Sequence, residues 1–364
     1  MAKINPEFSK EIKKIGGFDL NACVNCGNCT AICPLSDEDN SFPRKMVRAT
    51  VLGLEDKITG SLDPWLCYYC GECSDTCPKE ADPGALMMAL RRYMIRKYSF
   101  GRIADLFMGS LSSIYTWIVI TIGLVSLVFL NANFSPDMKN IKPLSFISLN
   151  FLHDVGIAII IFVGFFTISN VYIMIRNVKE FNVKKAGIKK MTVNFFKTLI
   201  SDVFLHKDFK KCDNRSRYLS HFCLFLGFMG LLLATILAFG IDFLLSPESN
   251  LKILPKVIGI FSGIPLLYGS IYFLIQRLFV RDNYSKYSHQ TDWMFLILMF
   301  LAGLTGFVID VFKTLDMFWS YYIFFAVHIV IALELMIIFP FTKFSHAVYR
   351  PLAAWMSKLI RDSK

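Results

Sequence analysis

Two short segments of the chain repeat one pattern of four cysteines. "CVNCGNCTAICP" begins at Cys23 and "CYYCGECSDTCP" begins at Cys67, and both read Cys-x2-Cys-x2-Cys-x3-Cys-Pro. Thiolates at this spacing ligate [4Fe–4S] clusters: three of them bind irons of one cluster, and the fourth reaches the neighbouring cluster. The repeat therefore predicts two such clusters, whose chemistry is the transfer of single electrons.

The crossed ligation of such runs gives the expected ligand sets. They are Cys23, Cys26, Cys29 and Cys77 for one cluster, and Cys33, Cys67, Cys70 and Cys73 for the other. Structural zinc is the alternative, because it takes four cysteines from Cys-x2-Cys pairs. Two complete runs, each closed by a proline, favour iron–sulfur clusters. Gly27 and Gly71 are expected to let each loop turn close to its cluster.

The histidines suggest a second kind of redox centre. Of the six, all but His206 lie in or at the ends of long apolar runs. Imidazole is a common axial ligand of haem, and an ionisable residue within a membrane span is a functional candidate by default. His221 follows Arg217, and His346 follows Lys343, so both are expected near the inner membrane face. We predict that His221 and His346 bind one haem b.

A second haem is predicted at His328. It lies 18 residues before His346, which is a rise of about 27 Å along a helix and suits two haems stacked across a bilayer. The predicted partner is His153, the one histidine expected in the outer half, although it lies about 12 Å further out by the same rise. At the matching depth the third span has Leu231 and Leu232 instead of a histidine.

Three further ionisable residues receive less specific interpretations. His289 is expected to be an interfacial residue, and His206 a surface residue. Glu334 lies six residues after His328 within an apolar run. It either helps to move protons or forms a hydrogen bond between helices.

The composition places most of the chain in a membrane. The 364 residues are 54% hydrophobic, with a mean hydropathy of +0.49. Six apolar runs approach the length of about 20 residues that a helix needs to cross a bilayer. They lie near 107–130, 151–175, 218–245, 255–279, 291–312 and 318–341.

These features predict two domains in an all-α membrane protein. Residues 1–100 form a small α-helical, ferredoxin-like domain with two [4Fe–4S] clusters, and residues 101–364 form a six-helix transmembrane cytochrome b bundle. The opening sequence lacks the apolar stretch of a signal peptide, so the cluster domain is expected in the cytoplasm and its cysteines are not expected to form disulfides.

The basic residues predict the orientation of the bundle. The net charge of +11 could indicate nucleic-acid binding, but Lys and Arg cluster beside the apolar runs, as membrane topology requires. They are frequent before the first run, in 176–217, in 277–290 and in the C-terminal tail, and rare in the other connections. The positive-inside rule therefore places both termini in the cytoplasm of a multi-pass protein of the inner membrane.

Two segments outside the apolar runs are candidates for peripheral contacts. "MTVNFFKTLISDVFL", from Met191, has apolar residues at helical spacing and predicts either a membrane-surface helix or a solvated linker helix. The stretch from Gly84 and the basic run 91–97 are expected to dock a partner or, for the basic run, to anchor the domain to the membrane surface.

Both halves of the chain resemble known redox proteins. Residues 1–100 resemble the C subunit of heterodisulfide reductase, and the remainder resembles the E subunit, its membrane partner, and the gamma subunit of nitrate reductase. "FPFTKFSH", from Phe339, and "HKDFKKCDNRSRYLSHFCLFLGF", from His206, carry the membrane resemblance. In the gamma subunit, the last helix bears two haem histidines spaced as His328 and His346 are here. Leu231 departs from that family, which has a histidine there.

The fusion of both parts resembles the C subunit of the quinone-interacting membrane-bound oxidoreductases of sulfate reducers. This resemblance implies two haems b, menaquinone as substrate, and flavoprotein partners similar to heterodisulfide reductase A that exchange electrons with adenylylsulfate reductase. The leading hypothesis is thus an electron-transfer subunit of a quinone-dependent oxidoreductase complex in sulfate reduction. The alternatives are the membrane arm of another heterodisulfide-reductase-like or hydrogenase complex, and a transporter or scaffold with sensory clusters.

Overall fold

The architecture was analysed in a computed structural model. It describes residues 4–17, 20–134, 143–179, 187–207, 214–244, 253–280 and 287–362, together with residues 181, 251 and 285. Cys212 and most of the connections between 134 and 143 and between 244 and 253, on which part of the orientation argument depends, lie outside the described residues.

The described residues of the first part of the chain form seven α-helices. Six of them have four to eight residues, and α7 has 16. α2 packs on α6, and the other five short helices pack on α7. They are α1 (Phe8–Lys14), α2 (Asn28–Ile32), α3 (Arg44–Val51), α4 (Glu55–Thr59), α5 (Asp63–Leu66), α6 (Glu72–Asp75) and α7 (Pro83–Tyr98). Asp82 caps α7 by accepting a hydrogen bond from the Ala85 amide at 2.8 Å, and Pro83 occupies the first helical position.

In the part of the chain that the structure describes, six helices are long and apolar enough to cross a membrane. They are α9 (Ser110–Leu130), α11 (Leu149–Asn177), α13 (Arg215–Leu244), α14 (Ile253–Ile275), α15 (Gln290–Thr314) and α16 (Phe318–Ile338). Shorter helices accompany them: α8 (Asp105–Met108), α10 (Pro143–Phe146), α12 (Ile188–Thr198) and α17 (His346–Arg361). The all-α fold class and the six membrane-length helices predicted from hydropathy are confirmed.

The long helices pack mainly with their neighbours in sequence. α13 packs on α14, α14 on α15, α15 on α16, and α16 on both α9 and α11. Small residues allow the first pair to approach closely: a Cβ atom on Gly269 of α14 would lie 2.5 Å from the Ser220 carbonyl oxygen of α13. Such contacts are the usual way for helices to associate in lipid.

Helix α7 joins the short helices to the bundle. Its residues Gly84 to Leu90 are buried, and one hydrophobic core runs from Phe8 through α7 to residues of α15 and α17. The segment from Gly84 is therefore not a surface for an external partner, and that expectation was wrong.

The basic run on α7 is likewise used within the chain. Arg92 pairs with Asp292 of α15 at 2.6 Å, Arg96 with Glu11 at 2.8 Å, and Lys97 with Glu55 at 2.6 Å. These ion pairs hold α7 against its neighbours. A role of the run in docking a partner or in anchoring the domain to the membrane stays a prediction.

The predicted amphipathic segment is helical and packs on α17. The Trp355 indole donates to the Met191 carbonyl at 3.0 Å, and Lys358 pairs with Asp202 at 2.7 Å. α17 also packs on α5, where the Trp65 and Tyr349 rings lie 5.0 Å apart. The cluster domain and the C-terminal helix thus lie on the same side of the six long helices.

Candidate redox centres

The two cysteine loops share one backbone conformation. In the first, Asn25 and Gly27 have φ values of 57° and 92°; in the second, Tyr69 and Gly71 have φ values of 56° and 88°. Each glycine then caps a short helix, α2 or α6. The repeat in sequence is therefore also a repeat in structure, and the tight turns expected at the two glycines are present.

The structure brings the eight cysteines together in two groups. α2 and α6 pack side by side, and Asn28 of α2 donates to the Thr76 carbonyl beyond α6 at 2.6 Å. The last cysteine of each run follows its short helix and so reaches the loop of the other run. Cys23, Cys26, Cys29 and Cys77 line one cavity, and Cys33, Cys67, Cys70 and Cys73 line another.

The thiols within each group influence one another. Burial raises the pKa of Cys33 to about 11, and Cys67 and Cys70 contribute to the rise. Burial also raises the pKa of Cys29, with further contributions from Cys23, Cys26 and Cys77. A raised pKa favours the protonated thiol. Binding of a metal ion reverses this preference, because a cysteine bound to a metal is deprotonated.

Each cavity has the four thiols that one [4Fe–4S] cluster needs. The four cysteines of such a cluster bind four different irons, so their sulfurs lie farther apart than around one zinc ion. Within the described ranges, no three Cys, His, Asp or Glu side chains are placed to hold a single metal ion. The donor set of each cavity fits the predicted cluster.

The surroundings of the two groups differ. Cys26 and Val24 of the first loop are exposed, Val24 by 59%. Cys67 of the second loop is buried, and its carbonyl accepts a hydrogen bond from Arg91 of α7. The Tyr69 carbonyl accepts one from Arg217 of α13 at 2.5 Å.

A histidine-lined cavity adjoins the second cysteine group. It has a volume of about 290 Å³ and lies between the cluster domain and the ends of α13, α15 and α17. His221 of α13 and His346 of α17, predicted to share a haem, both line it. Cys67 lines this cavity as well as that of its own group.

The ring of His346 is held in the tautomer that leaves Nε2 able to bind a metal ion. Its Nδ1 lies 2.8 Å from the Lys343 carbonyl oxygen, which can only accept, so Nδ1 carries the proton and Nε2 has a free lone pair. Burial lowers the pKa of His346 to about 4 and keeps the ring neutral. A hydrogen bond from the other ring nitrogen is the usual support for a metal-binding histidine.

The prediction that His206 is a surface residue was wrong. Its side chain is 5% exposed, lines the same cavity, and lies edge-on to His221 with ring centroids 5.4 Å apart. Burial lowers its pKa to about 4. The error arose because the chain around His206 is polar in sequence, whereas its ring packs against His221, Phe222 and Phe225 of α13.

The structure does not bring the other predicted haem pair into a described contact. His328 of α16 lies 2.8 Å from the Thr305 hydroxyl of α15. That hydroxyl also donates to the Leu301 carbonyl at 2.7 Å, so it accepts from Nδ1 and leaves Nε2 available. The His153 ring packs on Phe239 of α13 at 4.7 Å. The assignment of His328 and His153 to an outer haem remains a prediction.

The remaining ionisable residues have local partners. His289 caps α15 by accepting a hydrogen bond from the Thr291 amide at 3.2 Å. Glu334 is 2% exposed and lies 2.8 Å from the Thr121 hydroxyl of α9. Glu334 therefore has the interhelical hydrogen bond that was one of its two interpretations, and a role in proton movement remains a prediction.

Sequence reasoning missed the residues that join the two sites. Arg350 of α17 lies over the Tyr68 ring at 5.3 Å, and Arg217 lies over the Tyr69 ring at 5.0 Å. Arg350 follows His346 by four residues, one helical turn, and that spacing was the available signal.

Comparisons with known proteins show similarity to iron–sulfur proteins over part of the chain. The family described as "4Fe-4S dicluster domain" matches residues 19–81. A protein of Archaeoglobus profundus, named for its likeness to the C subunit of heterodisulfide reductase, is 35% identical over 103 residues, which are 28% of this chain and 55% of the relative. The C subunit of the H(2):CoB-CoM heterodisulfide,ferredoxin reductase of Methanothermobacter thermautotrophicus is 40% identical over 55 residues, 15% of this chain and 30% of the relative.

The chain thus spans about half or less of the length of these relatives. No solved structure matches it. The similarities identify residues 19–81 as a 4Fe-4S dicluster domain and support an iron–sulfur electron-transfer subunit of an oxidoreductase.

Proposed function

We propose that this chain carries electrons between menaquinone in the membrane and flavoprotein partners in the cytoplasm, through haem b and two [4Fe–4S] clusters. One observation supports the proposal above all others. Cys67 lines both the cavity of its cysteine group and the cavity that contains His221 and His346. The two sites therefore share a wall, which would keep the bound centres close enough for single-electron transfer.

The side chains of the chain would position and insulate these centres. When bound, [4Fe–4S] clusters and haem b accept and release single electrons. The two cysteine groups would hold the clusters, and His221 and His346 would hold the haem. Buried Trp65 and Met87 of the cluster domain exclude water near the second cysteine group. A dry, fixed site limits the reorganisation that accompanies a change of charge.

The exposed cysteine loop is the expected end of the route. Cys26 is exposed, and Val24 and Ile32 beside it are 59% and 44% exposed. The second group is enclosed by α7, α13 and α17. A soluble partner would therefore exchange electrons at the first group, and the second group would connect it to the bundle.

The more specific assignment rests on the fusion of a cluster domain to six membrane helices. This organisation resembles the quinone-interacting membrane-bound oxidoreductases, whose partners are flavoproteins similar to heterodisulfide reductase A and, indirectly, adenylylsulfate reductase. We assign the protein to the inner membrane, with the cluster domain and C-terminal helix in the cytoplasm. Within such a complex the chain would serve in the anaerobic respiration of sulfate.

A second candidate is the membrane arm of another heterodisulfide-reductase-like or hydrogenase complex. It is favoured by the relative from Methanothermobacter marburgensis, also 40% identical over 55 residues, whose name refers to H2 and to a heterodisulfide. The two candidates differ in the soluble partner.

Redox difference spectroscopy of the purified chain tests the proposal. We expect b-type haem absorption that a menaquinol analogue reduces, together with EPR signals of two [4Fe–4S] clusters. Iron-containing protein without haem absorption, or haem that the quinol does not reduce, would contradict it. Identification of the copurifying proteins then separates the two candidate complexes.

A further inference from the structure

The histidine-lined cavity has an excess of positive charge. Among its described lining residues are six cationic side chains and two carboxylates: Arg91, Arg92, Arg217, Arg277, Lys343 and Arg350, and Asp202 and Asp292. Both carboxylates already pair with cations. Asp202 pairs with Lys358 at 2.7 Å, and Asp292 pairs with Arg92 at 2.6 Å and with Lys343 at 3.1 Å. Buried charge of one sign is costly unless a ligand of opposite sign neutralises it.

The positive charge lies at the end of the cavity that faces the cluster domain. One face of α13 lines the cavity with Arg217, His221, Leu224, Phe225 and Phe228. Arg217 contacts the second cysteine loop through the Tyr69 carbonyl. Phe228 lies 11 residues further along, about 16 Å deeper in the bundle at the rise of a helix. The cavity therefore has a cationic end beside the loop and an apolar end within the bundle.

Arg350 is the residue best placed to bind an anion beside the histidines. It follows His346 by one turn, so both lie on the same face of α17, and both line the cavity. Its guanidinium lies over the Tyr68 ring. A guanidinium stacked on an aromatic ring still presents its N–H groups in its own plane, where they match the two oxygens of a carboxylate.

We propose that the cavity binds its tetrapyrrole with the two carboxylates at the cationic end, against Arg350 and the arginines near it. This inference rests on the proposed function, which assigns a haem to His221 and His346. It adds to that function the orientation of the tetrapyrrole ring and the selectivity of the cavity. The carboxylate edge lies beside Tyr68 and Cys67, the apolar edge lies toward Phe228, and the site prefers a dicarboxylic tetrapyrrole over its neutral ester.

The test compares two porphyrins that differ only in their carboxylates. The full-length chain is produced in the membranes of a host that cannot synthesise haem, and the membranes are titrated with ferric protoporphyrin IX or with its dimethyl ester. The readout is the absorption of low-spin, bis-imidazole ferric haem. We expect the ester to bind at least about tenfold more weakly, which is the effect of losing a charge-assisted hydrogen bond.

Substitutions at Arg350 assign the preference to this residue. In Arg350→Ala the affinity for the free acid should fall and the ratio between acid and ester should shrink toward one, whereas Arg350→Lys should retain part of the ratio. Arg361→Ala removes an exposed arginine from the end of the same helix and should leave the ratio unchanged. EPR signals of both clusters confirm that each variant is folded.

Each result separates the inference from the function on which it rests. Equal affinity for acid and ester in the wild-type chain, with bis-imidazole spectra for both, would overturn the proposed orientation and leave the haem assignment intact. An unchanged ratio in Arg350→Ala would overturn the role of Arg350. The absence of a bis-imidazole spectrum with either porphyrin would overturn the haem assignment and the inference together.

Discussion

The fourth cysteine of each run determines how the two cluster sites are connected. Cys33 belongs to the first run but lines the cavity of Cys67, Cys70 and Cys73, whereas Cys77 lines that of the first loop. Neither loop has a fourth cysteine of its own in its cavity, so the two halves of the repeat depend on each other. Substitution of cysteines in either run should therefore affect both cluster sites, but to different extents.

Single serine variants test this exchange. Cys33 and Cys73 line one cavity, so we expect Cys33→Ser and Cys73→Ser to alter the same EPR signal of the reduced protein. Cys77 and Cys29 line the other cavity, so Cys77→Ser and Cys29→Ser should both alter the other signal. Cys223→Ser, outside both runs, is the control and should retain both signals. Loss of one common signal in Cys33→Ser and Cys29→Ser would instead show that each run binds its own cluster.

The haem assignment makes a separate prediction at His346. His346→Ala should remove one b-type haem per chain and leave both cluster signals intact, because the variant loses Nε2 but none of the cysteines. Haem is measured as the pyridine haemochrome per polypeptide. His289→Asn removes another histidine at the end of an apolar helix and keeps a side chain suited to the N-cap, so its haem content should not change. Unchanged haem in His346→Ala would reject His346 as a ligand.

The cysteine spacing predicts the same two groups of thiols that line the two cavities, because a crossed pair of short loops has few alternatives. The role of these thiols as cluster ligands stays a prediction. His206 and Arg350 were missed because their roles depend on the tertiary packing of a polar connection and of a helix beyond the last span. Nothing in the local sequence around His206 distinguishes a buried imidazole from an exposed one.

At the scale of elements, α7 carries the coupling between cluster domain and bundle. Its apolar side chains are in the core, and Arg92 reaches Asp292 at the start of α15. Asp292 also pairs with Lys343 at 3.1 Å, in the segment between α16 and α17. One buried carboxylate thus connects three parts of the fold. Hydropathy could predict the long helices, but such a contact between residues 200 positions apart lies beyond it.

Removal of this carboxylate should loosen the cluster domain. Asp292→Asn leaves Arg92 and Lys343 as neighbouring cations without their shared partner, and breaking a buried pair in this way costs about 3–5 kcal/mol. We expect a lower thermal midpoint in detergent and faster proteolysis within residues 4–100. Asn is close in shape to Asp, so the change reports on charge more than on packing.

Two comparisons make that result specific. Lys10→Ala removes an exposed pair with Glu7 and should change the stability by less than about 1 kcal/mol. In Arg92→Met/Asp292→Asn the two losses should not add, because the substituted residues contact each other. A fully additive double variant, or an Asp292→Asn protein as stable as wild type, would show that the pair does not hold the domain.

At the scale of the whole molecule, the fold puts both ends of the chain on one side. α5 of the cluster domain packs on α17, and the described residues contain six membrane-length helices, an even number. Contacts fix this relation between the ends, whereas the side itself follows from the distribution of Lys and Arg along the sequence. The two arguments are independent, and together they predict a cytoplasmic position for the exposed cysteine loop.

Reporter fusions test the orientation of the whole chain. A fluorescent protein that folds only in the cytoplasm should fluoresce when it is fused after Arg361. Alkaline phosphatase is active only outside the cytoplasm. It should be active when it is inserted at 246–250, between the third and fourth membrane-length helices. Inactive phosphatase at 246–250 together with active phosphatase after Arg361 would show that the orientation in the membrane is the reverse of the predicted one. The cluster domain would then face away from every cytoplasmic partner, because its contact with α17 ties it to the side of the C-terminal helix. The proposed route between menaquinone and a cytoplasmic flavoprotein would fail with it, even if every cysteine and histidine were assigned correctly.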